Sequence, residues 1–363
     1  MPSLCGAATL SVRSEVGGEY DSNPSRVETV ANDDSITGES PSPSTGGRAL
    51  IGGEFNARLA SRTVLTLSGR AAGRGYLDRA ASRERVGILS GTASLLQLVG
   101  ASTRALGGVA YYDAYQDTRP ESRDFRSTSP SLSLLHPLGP GRLSVTGGYR
   151  WFVFKPAPVL NFAGPTAAAA YKVDLGGERE DDDDSAEWEF ITSVAYERRA
   201  FEALRCVKED DCPPATPAGL RNDNFAQAGI DFVRTGDFLL GAGAAFQINA
   251  SNSFQESLRR GLAHVEATFL LPWALSLATR AELIWTSFEN AVPVRRDPVS
   301  GLPLASIEDE GRSTFRVELM RPLGDNVDLS LRWIGYTNAI GGGPVQYRRQ
   351  VLLLQAGVSL NLL

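Results

Sequence analysis

The chain has 363 residues, with 36 basic against 42 acidic side chains for a net charge of −6, 37 glycines, 20 prolines and only 2 histidines. It contains no apolar run of about 18 residues, which excludes a transmembrane helix, and no Lys/Arg stripe, which excludes a nucleic-acid partner. A soluble chain of this length divides into two or three domains, whereas a single many-stranded sheet would use all of it.

Residues 1–8, MPSLCGAA, carry the small residues Gly6, Ala7 and Ala8 that end a secretory signal, without its charged start or apolar core. They are read as a remnant of such a signal, apart from one domain at 9–363. Residues 9–20 then alternate, with Leu10, Val12, Val16 and Tyr20 against Ser11, Arg13, Glu15 and Glu19. Period two marks a strand with one apolar and one wet face. A polar stretch rich in Ser, Pro, Asn and Asp follows, and 48–61 alternates again, with Ile51, Phe55 and Leu59 opposite Glu54, Asn56 and Arg58. The next link is tiny, and 63–76 sets Leu65, Leu67 and Ala71 against Thr66, Ser68, Arg70 and Arg74.

The rhythm of short link and long loop repeats. Residues 85–98 and 104–115 are joined by VGAST, with blurred alternation. Residues 126–136 and 143–154 are joined by PLGPG, and Leu143, Val145, Tyr149, Trp151 and Val153 oppose Ser144, Thr146 and Arg150. Short links must share a rim, so an even number of strands separates PLGPG from Thr235-Gly236. That requires a strand at 166–175, with Tyr171 and Val173 opposite Lys172 and Asp174, and it puts the acidic run 181–184 in a long inner turn, read as solvated, with a calcium-binding loop as the alternative. Trp188, Phe190, Val194 and Tyr196 then oppose Glu189, Ser193 and Glu197.

Cys206 and Cys212 flank VKEDD in a polar, proline-rich loop, a spacing that suits a small disulfide in an oxidising compartment. A metal site is the alternative, but no His or third Cys lies near. Strands follow with Ile230 and Phe232 opposite Gln227 and Asp231, and Val265 and Phe269 opposite His264 and Glu266. Trp273, Leu277 and Trp285 oppose Arg280 and Glu282; Phe315 and Val317 oppose Arg316 and Glu318; Leu329, Leu331 and Trp333 oppose Asp328 and Arg332. Residues 350–363, QVLLLQAGVSLNLL, close the chain, with Leu352, Leu354, Ala356, Val358, Leu360 and Leu362 opposite Gln355, Gly357, Ser359 and Asn361.

The count is about sixteen strands (14–18), an even number with alternately short and long connections, as in an outer-membrane barrel. The expected fold is all-β: a closed antiparallel transmembrane β-barrel of meander topology. A soluble sandwich would also alternate. Against it stand strands long enough to cross a bilayer at a tilt. The Trp positions also weigh against it: Trp151, Trp188, Trp273, Trp285 and Trp333 all fall on the apolar row, and four lie toward a strand end, where a lipid-facing aromatic girdle belongs.

Gln355, Gly357, Leu360 and Leu362 resemble the C-terminal insertion signal of outer-membrane barrels, with Leu363 in place of the usual terminal aromatic. The resemblance implies recognition by the barrel-assembly machinery. Residues 19–26, EYDSNPSR, after the first strand resemble the opening of the beta-barrel porin type-two family, linked with exopolysaccharide loci, and of the barrel of surface-lipoprotein assembly modifiers. A helical TPR module precedes the barrel in those modifiers and in polysaccharide exporters; this sequence has none, which weighs against active export.

About sixteen strands enclose an interior wide enough for water. The pore-lining candidates are Arg13, Glu15, Glu54, Arg58, Arg70, Arg74, Arg150, Glu189, Asp231, His264, Glu266, Arg280, Glu282, Arg316, Glu318, Asp328 and Arg332, with both signs mixed. Such residues tune solute selectivity or brace the wall as ion pairs. The expected function is a water-filled pore for small polar solutes or a polysaccharide-associated export channel, without strong ion preference, in the outer membrane of a Gram-negative bacterium. The alternative is a plugged structural or adhesive barrel acting through loops 21–46, 155–165, 201–222 and 290–311. A lipid-modifying enzyme ranks last, because only His136 and His264 could serve as a base and His264 beside Glu266 reads as a lumen pair. No cofactor or metal is expected; the expected partners are outer-membrane lipids, lipopolysaccharide and further copies of the chain.

Overall fold

Side chains that alternate along successive strands give each sheet two unlike faces, and the exposed edges of a sheet must be paired, covered or closed. The computed structural model describes residues 8–24, 29–30, 41–78, 81–116, 124–156, 158–175, 187–206, 219–254, 256–289, 312–338 and 345–362. Its strands are β1 (Ala8–Asp21), β2 (Thr29–Val30), β3 (Ser44–Ala60), β4 (Thr63–Tyr76), β5 (Val86–Val99), β6 (Thr103–Gln116), β7 (Phe125–Leu138), β8 (Gly141–Phe154) and β9 (Phe162–Asp174). There follow β10 (Glu187–Leu204), β11 (Leu220–Thr235), β12 (Phe238–Ser251), β13 (Leu258–Leu271), β14 (Leu275–Phe288), β15 (Ser313–Pro322), β16 (Val327–Thr337), β17 (Val345–Gln346) and β18 (Arg348–Asn361).

All but β2 and β17, which pair with each other, belong to one closed barrel of sixteen antiparallel strands in chain order. Closure is made by β1, which pairs with β3 on one side and β18 on the other, Ser11 opposite Asn361 and Asp21 opposite Val351. The expected all-β meander barrel is therefore the observed fold. Links 61–62, 100–102, 139–140, 236–237, 272–274 and 323–326 lie on one rim, and longer links on the other. The exception is the long link 175–186 on the short-link rim, where parity put it; residues 181–184 themselves lie outside the described residues.

The register sorts the side chains. On the outer face Val16, Ile51, Leu132, Val194, Phe246, Leu331 and Leu354 are exposed, so an apolar belt surrounds the barrel. On the inner face the side chains become more buried from the short-link rim toward the long-link rim. In β1 burial rises from Arg13 to Glu19 and Asp21, and in β4 it ends on buried Arg74 and Tyr76. Two details differ from the sequence reading. The ninth strand begins at Phe162 rather than 166, because its alternation continues through Gly164 and Pro165, so the preceding loop is shorter than 155–165. Trp273 stands outside any strand, in the link from β13 to β14 with φ 64°, and a three-residue link cannot also extend the ladder.

Candidate functional site: the charged inner wall

Each charged candidate sits on a strand whose other face is apolar, so alternation alone turns it inward. Nearest the short-link rim the inner wall is a chain of ion pairs that remain partly exposed. Arg280 bonds Glu266 and Glu282, each at 3.1 Å, with 47% of its side chain exposed. Arg332 bonds Glu318 at 2.8 Å, and Arg316 bonds the same carboxylate. Lys172 bonds Glu189, and Arg142 bonds Asp174 at 2.9 Å. His264 pairs with Asp231 at 3.5 Å rather than with Glu266, which Arg280 takes. Glu54 accepts from Asn56 at 2.7 Å, and Arg58 donates to the Ser61 carbonyl at 2.8 Å. Arg70 faces inward opposite Gly52 and Ser90. Opposite charges pair across β9–β10 and across β13–β16, whereas on β3 Glu54 and Arg58 bond neutral groups.

The seam shows why small and polar residues occupy the closing strand. β18 lies between β1 and β16, and Gly357 is opposite Glu15 on one side and Asp328 on the other. Arg13 crosses over it: its guanidinium donates to Asp328 at 2.9 Å, to Ser359 Oγ at 2.9 Å and to Glu15 at 2.7 Å. A Cβ at Gly357 would stand 2.7 Å from Asp328 Oδ1 and 2.8 Å from Arg13 Nη2. Gln355 Nε2 donates to Glu15 Oε2 at 2.9 Å. Leu360 lies on the outer face of the same strand, and Leu362 just beyond its end; both are exposed.

Toward the long-link rim the inner wall is buried. Asp21, without exposure, accepts from Arg349 Nε at 2.9 Å and from the Tyr76 hydroxyl, and Arg349 lies 5.4 Å from the Tyr336 ring centroid. Glu19 and Arg74 form a buried pair at 3.6 Å beside them. Arg150 and Arg199 share Glu197 at 3.3 and 2.7 Å. Across β6 to β10 the inner rings of Tyr112, Phe125, Phe152, Phe162 and Phe201 follow one another with centroids 4.9–5.2 Å apart. Arg199 lies over Phe225 at 4.5 Å and Arg221 over Phe201 at 4.1 Å.

Sequence reasoning missed Asp21, Tyr76, Arg199, Arg349 and these rings. All are in phase with the inner row, but they stand toward strand ends, where charged side chains and rings are mixed on that row. The register turns Trp151, Trp188, Trp285 and Trp333 outward. His136 is on the outer face of β7, within 2.9 Å of Thr103 Oγ1. The Cys206–Cys212 pair includes Cys212, which lies outside the described residues, as do residues 1–7.

Fold and inner wall together define a closed sixteen-stranded barrel, apolar outside and lined by paired charges within. No family model and no curated protein matches the chain by sequence. Among solved structures it is similar to OmpF of Salmonella typhi, in complex with daunomycin, at 9% identity over 99% of each chain with a TM-score of 0.49. It is also similar to an anion-selective porin from Comamonas acidovorans, at 10% identity over 98% of this chain and 100% of that one, TM-score 0.48. OmpT, an outer membrane protein of Vibrio cholerae, shares 11% over 99% of this chain and 100% of its own, TM-score 0.46. The closed barrel itself rests on the strand pairing described above.

Proposed function

We propose that the chain is a non-enzymatic outer-membrane barrel of Gram-negative bacteria that lets small polar solutes pass without strong ion preference. One observation carries this reading: exposed apolar side chains ring the outside, while half-exposed ion pairs such as Arg280 with Glu266 and Glu282 ring the inside of the short-link half. Lipid satisfies the first surface and water the second. Charges already neutralised by a neighbour offer no net field to select one sign. On this reading the buried aromatic and charged layer toward the long-link rim is the narrow part of the path. Polysaccharide-associated export, implied by the resemblance at 19–26, is the larger-solute form of the same reading.

Planar-bilayer recording tests it. Purified protein is expected to produce discrete conductance steps with a reversal potential near zero in a salt gradient. A silent bilayer containing inserted protein would falsify the channel. It would support the second reading, a plugged barrel acting through its long links, which the burial of the inner wall at Asp21, Phe125, Phe152, Phe201 and Arg349 favours. The Cys206–Cys212 disulfide, which would staple one of those links, belongs to this proposal.

A further inference from the structure

One group of charges stands on the wrong face. Asp113 pairs in register with Arg126, and both alternate with Tyr112 and Ser127 of the inner wall, so both point outward with Tyr111 and Tyr115. Lys155 directly follows β8 at the same long-link rim. The Asp113 carboxylate has no exposure and accepts from Arg126 Nε at 3.1 Å, from the hydroxyls of Tyr111 and Tyr115, each at 2.9 Å, and from Lys155 Nζ. Lys155 Nζ also lies 3.6 Å from the Tyr115 ring centroid. Half of the Arg126 side chain (49%) remains exposed. Tyr149 and Trp151, in contact at 4.7 Å between centroids, flank the group on β8.

A lone charge on the lipid face costs about 2–4 kcal/mol at the bilayer centre and roughly 0–1 near the headgroups, so this group belongs at the headgroup level. Two cations share the Asp113 carboxylate, and the Arg126 side chain stays half exposed beside it. The guanidinium spends two nitrogens on Asp113 and keeps the rest of its fork, which matches a phosphate oxygen pair. The tyrosines and Trp151 supply the amphipathic surround that headgroup-level contacts use. We propose that Arg126 and Lys155, oriented by Asp113, form a binding site on the outer face of β6–β8 for the phosphate of a membrane-lipid headgroup. The site rests on the membrane reading above.

The full chain, refolded in detergent and transferred to phosphatidylcholine vesicles, is first checked for insertion by heat-modifiable mobility. It is then extracted and incubated with diphosphorylated lipid A, or with the same glycolipid stripped of its phosphates, and retained lipid is counted by native mass spectrometry. Wild type is expected to retain the phosphorylated form about tenfold better than the D113N/R126Q/K155Q variant, which removes the cations without stranding a buried carboxylate. Arg126→Gln alone is expected to lose part of that preference, and Asp113→Asn, which keeps both cations but weakens the contact that orients them, to lose part of it too. Equal retention by wild type and the triple variant, or equal retention of the stripped glycolipid, overturns the site while the barrel reading stands. Failure of wild type to insert overturns both.

Discussion

At the scale of the residue, Gly357 carries two meanings. In the sequence it is the glycine of a terminal-strand signature; in the barrel it is the clearance beneath Arg13 as that side chain bridges β1 to β16. Gly357→Val is therefore expected to push Arg13 from Asp328 and to lower stability by about 1–3 kcal/mol, as overpacking does, with Gly357→Ala losing less. The urea midpoint of the refolded barrel measures this; a Val variant as stable as wild type would remove the clearance argument. The resemblance to that signature is drawn from residue types alone. The contacts of Gly357 were not legible there, because Arg13 and Asp328 are 315 positions apart and only closure of the sheet brings them together. The same is true of Asp21 and Arg349, buried against each other where the first and last strands meet.

At the scale of the element, alternation is a claim about which neighbour meets which solvent, and β13 gives the cleanest test. His264 faces Asp231 across the inner wall, whereas Val265, the next residue, is exposed on the outer face. Val265→Arg is expected to cost about 2–4 kcal/mol in lipid, and His264→Arg, which keeps a partner in Asp231, less than about 1 kcal/mol. Unfolding in lipid vesicles compares the two; equal costs would mean the face assignment is wrong. On the same strand Gly261 lies under the Trp285 indole, which occupies the space a side chain at that position would fill. Nothing in the order of residues announces that contact, since it depends on the register between β13 and β14. Where strands were hard to read, in β5 and β6, the inner row carries Ile88, Leu96, Leu106 and Tyr112 among its polar members, so both rows look apolar.

At the scale of the molecule, the inner wall divides into a partly exposed half and a buried half. If the rings of Phe152 and Phe162 narrow the path, the Phe152→Ala/Phe162→Ala variant is expected to raise unit conductance in planar bilayers. It should do so while losing about 3–5 kcal/mol of stability for each ring removed from a packed cluster; unchanged conductance would place the narrowing elsewhere. The even strand count, the alternate short and long links and the inward position of the charges were all readable in the chain, because period two is a local property that each strand carries by itself. The sealing of β1 against β18, the pairing of His264 with Asp231 instead of Glu266, the aromatic layer across β6–β10 and the outward Asp113–Arg126–Lys155 group were not. Each depends on register between strands and on the level at which a strand end meets its neighbours, and those relations exist only once the sheet has curled and closed.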